Sequence, residues 1–327
     1  MTVEKLANDL IAGNRRALAR AITLVESARA DHRAEAADLL ERVGSVGRKA
    51  VRIGLSGTPG VGKSSFIETF GCFLTAKGKR VAVLAVDPSS ARSGGSILGD
   101  KTRMDRLARE PLAFIRPSPS QTHLGGVARR TREVVALCEA AGFDLVLIET
   151  VGVGQSETLV AGMADVFVLL LAPAGGDELQ GVKRGIMEMA DLILVNKADG
   201  DLRAAALRTC ADYSGALRLL RKRPQDPQGF PKALTISALE GTGLEEAWAE
   251  MTRLVEWREA SGFFAANRAA QNRHWFEQEV RFGLLARLTS DPVLGARMAE
   301  LGARVEAGAS PSNAAAEILA EIAGQKG

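Results

Sequence analysis

The sequence predicts an α/β fold in which a mostly parallel central sheet lies between helical N-terminal and C-terminal extensions. Short apolar runs alternate with helical stretches between residues 51 and 237, as in a chain of strand–helix units. The runs are continuously apolar, which is typical of parallel strands that are buried on both faces. The predicted strands cover residues 51–55, 81–86, 145–148, 166–171, 192–195 and 234–236.

The two ends of the chain lack such runs and are predicted to be helical. Residues 1–47 carry an apolar stripe at helical spacing and end in a linker with Gly44, Ser45 and Gly47. A central domain is predicted over residues 48–258 and a helical C-terminal arm over residues 259–327. The arm is expected to break at Asp291 and Ser310, because each precedes a proline that can start a new helix.

The C-terminal arm concentrates the aromatic residues of a chain in which they make up 5%. An extended arm can hardly bury them alone, so we expect it to form a homodimer. Burial in an intramolecular core is the alternative. The residues concerned are Trp257, Phe263, Phe264, Trp275, Phe276 and Phe282.

Composition excludes several classes of protein. The net charge of +3, without a basic run, gives no reason to expect a nucleic-acid partner. No apolar segment approaches the ~18 residues of a membrane span, and the N-terminus has no signal-peptide pattern. We therefore expect no membrane association and a soluble, cytoplasmic protein. The 3 cysteines lie far apart, which argues against a disulfide framework or a zinc site.

A glycine-rich segment directly follows the first predicted strand and matches Gly-x-x-x-x-Gly-Lys-Ser. Its glycines let backbone N–H groups surround phosphates, and the helix predicted to begin near Lys63 points its positive end at them. Lys63 can reach the β and γ phosphates, and the Ser64 hydroxyl can bind Mg²⁺. An ordinary glycine-rich turn is the alternative. The predicted phosphate-binding residues are Gly57, Thr58, Pro59, Gly60, Val61, Gly62, Lys63, Ser64 and Ser65.

A second motif, Asn-Lys-Ala-Asp at residues 196–199, follows the strand predicted at residues 192–195 and indicates which base is bound. Its aspartate can accept hydrogen bonds from N1–H and the 2-amino group of guanine, whereas adenine would leave the carboxylate desolvated and unpaired. A helix N-cap at Asp199 is the simpler alternative. Ser-Ala-Leu after the last predicted strand also favours GTP over ATP. The predicted base-binding residues are Asn196, Lys197, Asp199, Ser237, Ala238 and Leu239.

These motifs, with the strand-end carboxylate Glu149 between them, occur in the order of a P-loop GTPase. Glu149 followed by Thr-Val-Gly departs from the Asp-x-x-Gly of Ras-like GTPases and resembles the SIMIBI class. Within it, Glu-Thr-Val-Gly-Val-Gly-Gln-Ser-Glu (149–157) and Val-Asp-Pro-Ser-Ser (86–90) are similar to the MeaB/ArgK branch, which includes the GTPase that accompanies methylmalonyl-CoA mutase. The resemblance extends over essentially the whole chain.

The resemblance implies an Mg²⁺ site made of oxygen ligands, as a hard cation prefers. Its ligands would be Ser64, Asp87, Asp100 and Glu149. Simpler alternatives are a strand-end turn at Asp87 and a solvated helix residue at Asp100. The resemblance further implies that the loop at residues 172–183 is a switch that reports the nucleotide state, although an ordinary surface loop is also compatible with the sequence. The catalytic residues would be Lys63, Asp87, Glu149 and Lys183.

The function that the resemblance implies is that of a GTP-hydrolysing chaperone of adenosylcobalamin-dependent methylmalonyl-CoA mutase. It would gate cofactor loading and protect the mutase from inactivation, and the cobalamin would belong to the partner. Val153 occupies the position of the Ras-like glutamine, so hydrolysis is expected to be slow until a partner completes the site. The alternatives are a nickel-type metallochaperone, which scattered histidines disfavour, and an ArgK-like kinase or transport ATPase, which Asp199 disfavours.

Overall fold

The computed structural model describes residues 2–27, 29–86, 104–116, 124–150, 156–173, 184–220 and 223–324. Within them, seven parallel strands form one sheet with the order β3-β2-β4-β1-β5-β6-β7. The predicted α/β class and parallel sheet are thereby confirmed. The strands are β1 Val51–Ser56, β2 Val81–Val86, β3 Ala113–Arg116, β4 Leu145–Thr150, β5 Val166–Leu171, β6 Leu192–Val195 and β7 Lys232–Thr235.

β1 and β4 extend one and two residues beyond their predicted ends, and larger differences occur in the two strands at the edges of the sheet. β3 was not predicted, because its four residues end in an arginine and only Ala113 is buried. It is recognisable only through its pairing with β2, in which Ala113 faces Val81. β7 begins two residues before the predicted run, at Lys232, whose ammonium group reaches the Glu250 carboxylate at 2.7 Å. A lysine that is anchored in this way can open a strand without entering the core.

Thirteen helices are present in the described residues. None of them has the length and apolarity that a membrane crossing requires. The helices are α1 Val3–Ile11, α2 Arg15–Glu26, α3 Ala30–Gly44, α4 Lys63–Ala76, α5 Asp105–Arg109, α6 Leu124–Ala140, α7 Ser156–Ala161, α8 Arg184–Met189, α9 Arg203–Arg218, α10 Leu244–Ala260, α11 Phe263–Ser290, α12 Pro292–Glu306 and α13 Pro311–Gly324.

The two breaks predicted for the C-terminal arm are confirmed. The Asp291 carboxylate accepts hydrogen bonds from the backbone N–H groups of Val293 (2.9 Å) and Leu294 (3.2 Å), which caps α12. At α13, the Ser310 hydroxyl accepts a weaker hydrogen bond from the Asn313 N–H at 3.4 Å. Each helix then starts at a proline, whose missing N–H costs nothing at the first helical position.

The chain divides into two compact units, Met1–Arg268 and Ala269–Gly327. In the first unit, the main core lies between the sheet and α4, where the stacked rings of Phe66 and Phe70 are 5.0 Å apart and fully buried. Phe264 belongs to this core and not to an exposed arm surface. The second unit has its own small core, made by Leu294, Leu301, Ala314 and Ile318.

A buried ion-pair network fixes the amino-terminal edge of the sheet. Arg52 in β1 forms a bidentate pair with Glu139 at the end of α6, with N–O distances of 2.9 and 2.8 Å. Arg268 in α11 forms a second bidentate pair with Asp165 at 2.6 Å and also contacts Glu139 at 2.9 Å. Burial alone would raise the pKa of Glu139, but the hydrogen bonds and charges of Arg52 and Arg268 outweigh it and lower this pKa.

A second group of buried charges adjoins the first. Arg258 in α10 donates to both carboxylate oxygens of Asp191, at 3.1 and 2.7 Å, and to Asp226 at 2.7 Å. Arg223 also contacts these two carboxylates. Asp191 precedes β6 and accepts a backbone hydrogen bond from Phe167 in β5 at 2.8 Å. The start of the C-terminal helices is therefore fastened to the sheet by ionic contacts as well as by apolar ones.

We predict that Arg268→Ala lowers the free energy of unfolding by about 3–5 kcal/mol, because it leaves Asp165 and Glu139 buried with less compensation. Urea denaturation followed by circular dichroism measures this change. Arg42→Ala is the matched control: its pair with Asp38 is exposed, so the expected loss is about 0.5 kcal/mol or less. An Arg268→Ala protein that is within ~1 kcal/mol of the wild type would contradict the structural role of this network.

Candidate functional site

The glycine-rich loop connects β1 to α4 at the carboxyl edge of the sheet. Gly57 has φ +153° and lies so close to β5 that a Cβ atom there would be 2.3 Å from the Leu170 carbonyl oxygen. Gly62 has φ +89° and precedes the first residue of α4, and its Cβ would be 2.7 Å from the Asn196 amide nitrogen. These two glycines are thus required by close packing as well as by the turn.

Lys63 turns back over this loop. Its ammonium group donates hydrogen bonds to the carbonyl oxygens of Gly57 (2.6 Å) and Thr58 (3.2 Å). Burial lowers the pKa of Lys63, while the charges of Glu149 and Glu157 act in the opposite direction. A cation held inside a loop that opens a helix N-terminus is suited to bind phosphate oxygens.

Glu149 lies near the end of β4, between Leu55 of β1 and Ala85 of β2, and its side chain is buried. Next to it, the hydroxyl groups of Thr150 and Ser56 are hydrogen-bonded at 3.2 Å. The half-buried Ser64 occupies the first turn of α4, at the same edge of the sheet. This edge offers hydroxyl and carboxylate oxygens, which are the donors that Mg²⁺ prefers.

The other proposed ligands and catalytic residues, Asp87, Asp100 and Lys183, lie outside the described residues. Among the described residues, no group of three His, Cys, Asp or Glu side chains comes together as a metal site. The residues present fit an Mg²⁺ ion that is held by a serine, a carboxylate and phosphate oxygens, because such an ion usually keeps few protein ligands.

Asn196 joins three loops of the site. Its side-chain N–H donates to the Val61 carbonyl at 2.9 Å, and its side-chain oxygen accepts from the Ala238 N–H at 3.0 Å. The side chain is buried, so removing it would leave two backbone groups without these partners. Asn196 therefore ties the phosphate loop and the loop after β7 to the loop that follows β6.

Lys197 connects the same loops from the surface. Its backbone adopts a left-handed conformation with φ +59°, which is uncommon for a lysine. Its ammonium group donates to the Gly60 carbonyl at 2.8 Å. This hydrogen bond directs the lysine stem along the phosphate loop.

Asp199 is held by the loop after β7. The buried Ser237 hydroxyl donates to its carboxylate and accepts from the Glu240 N–H at 3.0 Å. Asp199 precedes a short 3₁₀ turn, Gly200–Leu202, yet its side chain forms no capping hydrogen bond within the described chain. The carboxylate is therefore oriented by Ser237, which leaves its second oxygen for other contacts. Leu239 in the same loop has an exposed side chain.

Two supporting residues were not found by sequence reasoning. Thr69 in α4 donates its hydroxyl to the Ala238 carbonyl at 2.7 Å and so supports the loop after β7. Glu157 in α7 is buried, and its charge acts on Lys63. Thr69 shows no sequence signal, because its partner lies in a distant segment. Glu157 ends the 149–157 segment on which the resemblance depends, but the motif alone did not indicate its proximity to Lys63.

The phosphate loop on β1, the carboxylate on β4 and the Asn-Lys-x-Asp and Ser-Ala loops on β6 and β7 define a P-loop GTPase. A family model described as "Methylmalonyl Co-A mutase-associated GTPase MeaB" matches residues 18–293. The chain belongs to this MeaB family.

Relatives and solved structures agree with this assignment. A Caulobacter vibrioides protein whose name also describes a GTPase is 53% identical and covers 98% of this chain and 97% of its own length. The mouse protein "Methylmalonic aciduria type A homolog, mitochondrial" is 48% identical over 97% of this chain and 78% of its own length. A crystal structure described as a LAO/AO transport system kinase superposes with a TM-score of 0.77 at 37% identity, covering 98% of this chain and 97% of the other.

We predict that Asp199→Asn weakens GTP binding by about 10²-fold, because the amide cannot accept two hydrogen bonds from guanine. The variant should gain affinity for xanthosine triphosphate, whose extra carbonyl accepts a hydrogen bond from the amide. Isothermal titration calorimetry with both nucleotides tests this. The neighbouring Asp201→Asn is the control, since Asp201 is exposed in the 3₁₀ turn. An unchanged GTP dissociation constant in Asp199→Asn would remove Asp199 from base recognition.

Proposed function

We propose that this chain binds GTP with Mg²⁺, hydrolyses it, and acts as a chaperone of adenosylcobalamin-dependent methylmalonyl-CoA mutase. The observation that carries the proposal is the Asn196 bridge, which ties the phosphate loop to both base loops in a member of the MeaB family. In this role the protein gates loading of the cobalamin, which belongs to the mutase, and protects the mutase from inactivation. A cytoplasmic location is part of the proposal.

The proposed chemistry follows from the residues at the carboxyl edge. The loop amides of residues 57–62 and the Lys63 ammonium group bind the phosphates and neutralise charge that develops on them during transfer. Ser64 and Glu149 would hold Mg²⁺, which would supply stabilisation of the negative charge that develops during transfer. Asp87, Asp100 and Lys183 complete this set in the proposal, although they lie outside the described residues.

Slow basal hydrolysis is proposed from the sequence of the segment after β4. Val153 stands where Ras-like GTPases have a water-positioning glutamine, and a hydrophobic side chain cannot orient water by hydrogen bonding. A group supplied from outside the chain typically accelerates such sites by ~10³–10⁵-fold. We therefore propose that the mutase stimulates hydrolysis, and that the loop at residues 172–183 carries the signal between the two proteins.

The mutase as partner is supported by the names of the family and of its relatives. The family description contains the words "Methylmalonyl Co-A mutase-associated", and relatives from mouse and Caenorhabditis elegans are described as methylmalonic aciduria type A homologs. A kinase function, suggested by the name of the structural neighbour at 37% identity, is the second candidate. The kinase function gains no support from Asp199, since a guanine-reading aspartate would serve no purpose in an ATP-dependent kinase.

A homodimer is proposed through the C-terminal arm. Phe276, Val280 and Leu284 are spaced four residues apart on α11 and are exposed by 68%, 45% and 54%. Residues at this spacing share one helix face, and three exposed apolar side chains in a row favour burial against another surface. A second copy of the arm is the partner that we propose for this face. Phe264 makes no contribution to it, because it is buried in the first unit.

The proposed function predicts that purified methylmalonyl-CoA mutase accelerates GTP hydrolysis by the wild-type protein by at least ~10-fold, measured as steady-state phosphate release. Glu149→Gln should lower the stimulated rate by about 10²-fold, because it removes a negative charge on the Mg²⁺ side. GDP affinity should stay within a few-fold, since Lys63 and the loop amides are unchanged.

A control variant and a binding measurement distinguish an effect on the mutase interaction from an effect on GTP hydrolysis. Glu35→Gln is the control variant, because Glu35 belongs to α3 and not to the site. Absence of stimulation and of co-elution with the mutase in the presence of a non-hydrolysable GTP analogue would contradict the chaperone proposal. Equal loss of GDP affinity and of turnover in Glu149→Gln would contradict the assignment of Glu149 to the metal side.

A further inference from the structure

A polar cleft of about 470 Å³ opens at the amino-terminal edge of the sheet, opposite the nucleotide loops. Its walls come from the end of α1 and from the segments that precede β1, β2 and β4. Its volume is in the range of small-molecule sites. Three cationic residues line it: Arg48, Lys49 and Arg80.

Arg80 is held in place from two sides. Its backbone N–H donates to the Asp144 carboxylate at 2.7 Å, and its carbonyl oxygen accepts from the Asp144 N–H at 2.9 Å. Its guanidinium group lies over the Phe143 ring, 4.9 Å from the centroid. The part of the chain that the structure describes provides no hydrogen-bond acceptor for this guanidinium group, so its donors remain available to a ligand.

Arg48 is anchored differently but faces the same cleft. One terminal nitrogen donates to the carbonyl oxygens of Ile11 (2.8 Å) and Ala140 (3.1 Å), at the ends of two helices. A guanidinium group has five N–H donors in a planar fork. The remaining donors of Arg48 have no partner among the described residues. These contacts therefore orient the guanidinium group and leave its other N–H donors available to an anion.

The two guanidinium groups converge on one point. A Cβ atom at Gly142 would be 2.9 Å from a terminal nitrogen of Arg80 and 3.3 Å from Nη1 of Arg48, the nitrogen that also donates to Ile11 and Ala140. Gly13 approaches Arg80 in the same way, at 3.3 Å, and both glycines have φ +82°. Side chains at these positions would fill the space between the cations. Glycine thus keeps the cleft open where the positive charge is concentrated.

The carboxylates around the cleft are already engaged. Glu139 is held by Arg52 and Arg268, and Asp144 accepts from the Arg80 backbone. Neither is therefore free to form a bidentate pair with Arg80 or Arg48. Two like charges that face one another across a cleft repel, and an anion between them relieves this repulsion.

We propose that this cleft is a second ligand site, which binds the phosphate group of a small phosphate ester. Planar guanidinium forks match phosphate oxygens, and a tetrahedral dianion can accept hydrogen bonds from two directions at once. The exposed Lys49 adds a mobile positive charge at the rim. Because the cleft is larger than a phosphate ion, the organic part of the ester occupies the remaining space.

The test uses the full chain with its nucleotide site filled by Mg²⁺ and a non-hydrolysable GTP analogue. Inorganic phosphate is the probe, and arginine side-chain N–H resonances are followed by NMR at constant ionic strength. We expect saturable shifts of Arg48 and Arg80, with affinity reduced about 10-fold or more in Arg80→Ala. Arg80→Lys should be intermediate, because it keeps the charge but loses the fork.

The exposed neighbour Lys79→Ala is the matched control and should bind phosphate within about two-fold of the wild type. Equal affinity in Arg80→Ala and wild type, or shifts confined to residues 57–64, would overturn the proposal, as would the same shifts with chloride. Melting temperatures confirm that the variants are folded. Because the assay contains no mutase and measures no hydrolysis, its failure would leave the proposed GTPase function unaffected.

Discussion

Because all seven described strands run in the same direction, each loop that follows a strand lies at the same edge of the sheet, and the whole site depends on this constraint. Neighbouring strands are only ~4.8 Å apart, so segments that are distant in sequence meet there. The buried amide of Asn196 uses this proximity to hold Val61 and Ala238 at once. Phosphate binding and base recognition thereby become properties of one connected structure.

The opposite edge of the sheet is held by buried ion pairs. Arg52 and Arg268 are balanced by Glu139 and Asp165, and every member is buried. Desolvation offsets much of the attraction in such pairs, but removing one partner leaves a buried charge uncompensated. Through Arg268, the network fastens the start of α11 to this edge of the sheet.

Local patterns in the sequence predicted the strands, the phosphate loop and the base motif, because glycine spacing and apolar runs are local properties. The edge strand β3 was not predicted, because four residues that end in Arg116 resemble a loop. The ion pairs were not predicted for a different reason. Arg268 contacts Asp165 across more than one hundred residues, and no local sequence pattern indicates such pairing. Phe264 likewise appeared to belong to an aromatic arm, and only the fold shows that it joins the main core.

We infer that Asp199, oriented by Ser237, makes this a guanine-specific site. The most direct test is the affinity of the wild-type protein for GTP and for ATP, measured by calorimetry with Mg²⁺ under identical conditions. We expect GTP to bind on the order of 10³-fold tighter or more, because adenine leaves the carboxylate desolvated and without donors. Affinities for the two nucleotides that agree within about ten-fold would contradict it.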